Sequence, residues 1–195
     1  MLRTQFEEEL LNLHNQFYEM GMMVSSAVHK SVRSYIKHDK ALAQEVIEND
    51  IKINDMETRL EKKSFEMIAL QQPVTTDLRM IITVMKASSD LERMADHAVS
   101  VAKSTIRVKG QTRIPDIEKE ISDMSDYVKK MVDNVLVAYV KTDEKDARTI
   151  ANMDQRVNDY FNRIYNATIK NMQANPETVI SGTDYLNVAS YLERI

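Results

Sequence analysis

The sequence predicts an all-α protein of two tandem three-helix bundles, six helices in all, and three observations carry that prediction. Glycine and proline are scarce, three of each in 195 residues, while Leu, Ile, Glu, Lys and Arg abound, which favours long helices over a sheet with many turns. Apolar residues recur at threes and fours through most of the chain. The motifs of the first half return in the second at a nearly constant offset: 104 between Asp50 and Asp154, 103 between Pro73 and Pro176, 101 between Leu91 and Leu192. With 43% apolar residues, the chain can bury a substantial core.

The first predicted helix runs from about Phe6 to Lys37 on the stripe Leu10, Leu13, Phe17, Met20, Val24, Val28, Val32, Ile36. His14 and His29 lie on it too far apart to share a small ligand and are assigned to packing or surface. After the connector His38-Asp39-Lys40, a second stripe through Leu42, Val46, Ile53, Met56, Leu60 and Met67 reaches about Leu70. Pro73 ends it, because proline lacks a donor and disfavours helix at the preceding residue. Thr75 or Thr76 is the expected cap of a third helix ending near Arg107, with Asp77 in its positive first turn. The glycine-containing basic connector Val108-Lys109-Gly110-Gln111-Thr112-Arg113 separates a first bundle, 1–109, from a second, 115–195. The fourth helix restarts at Pro115 and takes Ile117, Ile121, Met124, Val128, Met131, Val132, Val135 and Val140 inward. Thr142-Asp143 caps a fifth, running to roughly Met172, and a sixth follows Pro176, its last turns truncated at Ile195. Each copy packs most simply as up-down-up, the two bundles sharing long helices.

Composition excludes several classes. A net charge of −4 lacks the basic excess that nucleic-acid affinity requires. Without cysteine there is no disulfide framework, thiolate zinc site or iron–sulfur site, so any metal needs oxygen or imidazole ligands. The acidic N-terminus lacks an apolar h-region and no run approaches the roughly 18 apolar residues of a membrane span, so a soluble cytoplasmic protein is expected.

The anomaly is acidic. At about 100° per residue, Glu92 and Asp96 fall within roughly 40° of each other, in one stripe with Leu78, Ile81, Met85 and Val99. They are expected to point with the core, while Arg79, Lys86, Asp90, Arg93 and His97 gather on a solvated face. Asp50, Asn54, Glu57 and Glu61 share one face of the second helix, read there as a solvated edge, since charged stripes are ordinary on amphipathic helices. Carboxylates one turn apart, met by a facing helix, can bridge hard cations; a salt-bridge network involving Arg79 or Arg93 compensates them equally well. Oxygen-rich sites suit Mg, Ca or Mn and accept Fe or Zn. A di-metal carboxylate enzyme is the alternative class, although no histidine follows a glutamate by three and no Gly-rich phosphate loop occurs. A ligand-free helical scaffold is the other.

Leu70-Gln71-Gln72-Pro73-Val74-Thr75-Thr76-Asp77-Leu78-Arg79, followed by Asp90-Leu91-Glu92-Arg93-Met94-Ala95-Asp96-His97-Ala98, resembles the PhoU family, and Tyr191-Leu192-Glu193-Arg194-Ile195 resembles the start of that family's second signature. The resemblance covers nearly the whole chain. It implies a non-enzymatic cytoplasmic regulator of phosphate uptake that represses the phosphate-starvation response and commonly forms a homodimer. The implied partners are a phosphate ABC transporter, through its ATPase, and a sensor histidine kinase. It also implies metal ions (Fe, Zn, Mn or Mg) on Glu/Asp-x-x-x-Asp motifs. Glu92-x-x-x-Asp96 fits directly; Asp50-x-x-x-Asn54 and Asp154-x-x-x-Asn158 fit with an amide in the last place. Glu193 completes the set of expected metal ligands, while the carboxylate and histidine expected after Arg194 are absent. Met94-Ala95 and Ser100 depart from the family's Ile-Gly and Asn. At the same offset Glu57 and Glu61 become Phe161 and Tyr165, so unequal occupancy of the two copies is expected.

Overall fold

A computed structural model describes residues 2–108 and 110–195; Met1 and Lys109, the two limits assigned to the first bundle, lie outside the described residues. Among the described residues every regular element is helical: α1 (Leu2–Lys37), α2 (Lys40–Gln71), α3 (Thr75–Arg107), α4 (Pro115–Lys141), α5 (Glu144–Ala151), α6 (Asp154–Ala174), a 3₁₀ turn (Pro176–Thr178) and α7 (Val179–Arg194). None is long and apolar enough to cross a membrane.

The punctuation has local causes. Asp39 caps α2 by accepting the backbone N–H of Leu42 at 3.0 Å, after His38 has taken a left-handed conformation. Thr142 ends α4 in the same left-handed conformation, and the Asp143 carboxylate accepts the N–H of Asp146 at 2.9 Å to start α5. Pro115 begins α4, where its missing N–H costs nothing. The expected threonine cap of α3 is not made: Val74 holds the cap position without a side-chain bond, and Thr75 is itself left-handed. The predicted fifth helix is broken in two. Around Asn152–Met153 the bonds tighten to the i→i+3 pattern, with Met153 N–H to Ile150 C=O at 2.9 Å and Arg156 N–H to Met153 C=O at 3.0 Å.

Packing joins α1, α2 and α3 to one another, and α4, α6 and α7 likewise; α1 also lies along α4 and α3 along α7. One hydrophobic cluster runs through both triplets, from Leu13, Val24, Leu60 and Ile81 to Ile121, Met124, Ile164 and Leu192. The stripe of α1 is buried as expected except for Ile36, which is half-buried. On α4 the inward row shifts late: Val135 and Val140 are exposed, and Leu136 and Ala138 take their places. Gly21 lets α1 approach α4, since a Cβ there would stand 2.3 Å from a δ-methyl of Leu136.

Candidate metal centre

The buried row of α3 is Ile81, Val84, Ser88, Leu91, Ala95, Ala98 and Ala102. Glu92 and Asp96 follow Leu91 and Ala95 by one residue, about 100° around the helix, and so sit at the rim of the core. The expectation that both point inward is corrected: Glu92 is half-buried and Asp96 is exposed. The solvated side is as read, with Arg93 Nη1 donating to Asp90 at 3.2 Å on the surface. His97 leaves that side and stacks on Tyr191 of α7, ring centroids 5.9 Å apart and planes 22° from parallel.

Across the rim lies α2. The solvated edge expected for its acids holds for exposed Glu61; Asp50, Asn54 and Glu57 are half-buried. Burial, then the charges of Asp96, Glu57 and Asp50, raise the carboxyl of Glu92 above its ordinary range; Arg93 only partly offsets them. Asp50 is raised by burial and by Asp96, against a hydrogen bond from Asn54 and the charge of Lys103. Glu57 is raised by burial and by Glu61. Three half-buried acids on two helices are therefore all held in unfavourable company.

The oxygens themselves point to a missing partner. The amide of Asn54 donates to Asp50 Oδ2 at 3.2 Å, leaving Asp50 Oδ1 and Asn54 Oδ1, both buried, without any hydrogen bond. A buried acceptor left unpaired costs about 1–3 kcal/mol. A cavity of about 520 Å³ opens beside Asp50 between α1, α2 and α3. Hard cations take carboxylate and amide oxygens, so Asp50, Asn54, Glu57, Glu92 and Asp96 are a chemically fitting donor set. Among the described residues no three carboxylates or imidazoles already converge as ligands, so binding requires side chains at this rim to turn toward a common point.

The second copy differs. Asp154 is exposed and accepts the Asn158 amide at 3.0 Å; Glu193 is exposed near the end of α7. Neither figures among the charges acting on Asp50, Glu57 or Glu92. Where the first copy has Glu57 and Glu61, Phe161 and Tyr165 lie ring against ring. The sequence readings missed Lys103, whose only trace was a cation placed two turns beyond Asp96, and the inward turn of Glu57.

The PhoU domain pattern matches this chain twice, over residues 17–105 and 121–195. The chain belongs to the PhoU family. The two matches bracket the internal duplication read from the sequence. The chain is 37% identical to the phosphate-specific transport system accessory protein PhoU homolog of Clostridium acetobutylicum, over 100% of this chain and 89% of that one. To the homolog of the same name from Streptococcus pneumoniae it is 32% identical, over 99% of this chain and 89% of that one. Its fold superposes on the crystal structure of the phosphate transport system regulatory protein PhoU from Streptococcus pneumoniae with a TM-score of 0.90 at 29% identity, covering 97% of this chain and 88% of that one. PhoU from Pseudomonas aeruginosa gives 0.92 at 29% identity, over 97% and 90%.

Proposed function

We propose that this protein is a cytoplasmic regulator of phosphate uptake and a negative regulator of the phosphate-starvation response. It acts as a metal-binding adaptor between a phosphate ABC transporter and a sensor histidine kinase, works as a homodimer, and catalyses no reaction. The names of its relatives support the phosphate-transport part, since they are accessory or regulatory proteins. The observation that carries the metal part is the pair of buried, unpartnered oxygens, Asp50 Oδ1 and Asn54 Oδ1, beside Glu92, raised by burial and then by Asp96, Glu57 and Asp50, and Glu57, raised by burial and then by Glu61. A cation supplies the missing partner and cancels the repulsion, which ties α2 to α3 at the rim. Asp50, Asn54, Glu57, Glu92 and Asp96 hold it; Asp154 and Glu193 form the poorer second site, consistent with their exposure and with Phe161 and Tyr165 standing where the first copy has Glu57 and Glu61.

The test is the Glu92→Gln, Asp96→Asn double variant. It is expected to stay folded by circular dichroism, to lose the metal found with the wild type by elemental analysis, and to release a starvation-promoter reporter from repression in phosphate-rich medium. At a cation concentration a hundredfold above Kd, the wild type gains about 2.7 kcal/mol of stability that the variant lacks. A metal-free wild type, or repression that survives loss of the metal, overturns the metal part. Failure to capture the transporter ATPase and the kinase in a pull-down overturns the adaptor part.

A further inference from the structure

The antiparallel seam between α1 and α4 is stitched in steps. His14 Nδ1 bonds the Tyr139 hydroxyl near one end, Ser25 donates to Asp133 midway, and Arg113 donates to the Ile36 carbonyl at 2.6 Å at the other end. Between the last two the seam opens into a cavity of about 200 Å³, whose polar wall is His29, Arg33 and Lys37 from α1 and Ser122, Ser125 and Asp126 from α4. That is room for several waters, each about 30 Å³ in the liquid, or for one small anion.

Residues four apart share a helix face, so His29, Arg33 and Lys37 form a single row. Arg33 and Lys37 make no ion pair or hydrogen bond among the described residues, and the side chains of Ser122 and Ser125 make none either. Unpaired cations on a solvated face are ordinary. Here two of them share a concave wall with two hydroxyl donors, and one donor, Ser125, is only 2% exposed yet finds no protein partner. A planar guanidinium fork, an ammonium point charge and two hydroxyls are the donor set that a tetrahedral oxyanion accepts from. The negative end of the α1 dipole opposes an anion there, but it amounts to about half a charge and falls off within the last turn, so it acts only near Lys37.

Asp126 decides which oxyanion. A carboxylate on the wall repels sulfate, which has no proton to give, whereas hydrogen phosphate keeps one O–H that Asp126 accepts. We propose that this cavity binds free hydrogen phosphate. The site lies on α1 and α4, away from the acidic rim of α2 and α3, and does not depend on a metal there.

Isothermal titration of inorganic phosphate into the full chain tests this, at fixed ionic strength and with chelator present so that phosphate held through a metal does not register. Saturable heat is expected, weakened about tenfold or more in Arg33→Gln and in Lys37→Gln, as for loss of a charge-assisted hydrogen bond. Asp126→Asn is expected to raise binding of sulfate relative to phosphate. A parallel titration with glycerol 3-phosphate above pH 7, where its phosphoryl dianion has no O–H, is expected to show weaker binding than inorganic phosphate, and equal binding overturns the selectivity assigned to Asp126. Both substituted cations are exposed, so circular dichroism is expected to match the wild type. No saturable heat with the wild type, or unchanged binding in Arg33→Gln, overturns the proposal without touching the metal reading, which is judged on metal content.

Discussion

Glu92 shows how a single side chain records both its helix and its neighbours. Its helix leaves it half in water, and burial, then Asp96 on the same helix and the α2 acids Glu57 and Asp50, raise its carboxyl above the ordinary value of 4.5. A carboxyl raised in the folded state binds more protons there than in the unfolded chain, so its contribution to stability falls as pH rises through the window above 4.5. In metal-free protein, Glu92→Gln is therefore expected to melt above the wild type at neutral pH, with the difference closing below about pH 4, where the Glu92 carboxyl is mostly protonated in the unfolded chain as well. Differential scanning calorimetry at the two pH values checks it. An added cation is expected to reverse the order, because the charge that repels in its absence becomes a ligand.

At the scale of elements, short stretches set where helices start, stop and touch. The Asp143 carboxylate is half-buried and accepts no other side-chain hydrogen bond, so Asp143→Ala is expected to cost about 1 kcal/mol and to fray α5, read as a lower urea midpoint at unchanged m-value. Gly21 is a different kind of position. It lies inside α1 at an ordinary helical conformation, and what it provides is clearance for Leu136. Gly21→Val pushes two methyls toward that side chain and is expected to destabilise by about 1–3 kcal/mol in the same measurement, with α1 and α4 forced apart.

Over the whole molecule, two buried carboxylates join the halves. Asp184 on α7, 3% exposed, accepts Arg107 Nε from the end of α3 at 2.9 Å. Glu118 on α4, 5% exposed, accepts Arg113 Nε from the connector at 3.1 Å to both oxygens and the Tyr185 hydroxyl at 3.0 Å. Tyr185 in turn accepts the N–H of Ile114 and meets Tyr35 of α1 edge to face, so α1, α3, α4 and α7 converge on one polar network. Breaking a fully buried pair costs about 3–5 kcal/mol. Both guanidiniums here stand half in solvent, so Arg107→Ala is expected to cost less, about 2 kcal/mol by denaturant titration, with partial recovery in Arg107→Lys.

By itself the sequence determined the helical class, the duplication, most helix limits and the buried stripe of α1, because periodicity, proline and capping acids act within a few residues. It also marked Glu92 and Asp96 as misplaced charges, while Asp50 read as part of a solvated edge. Only the tertiary structure decided how deep each lies: a one-residue offset from the core row leaves Asp96 in water and Glu92 at the rim, and wheel arithmetic cannot resolve that without knowing where α1 and α2 press on α3. The inward turn of Glu57, the break at Asn152–Met153 and the exchange of Val135 for Leu136 belong to the same class. Each depends on a partner helix distant in sequence, and the same is true of the row of cations on α1, which became a candidate site only when α4 brought two serines and an aspartate to face it.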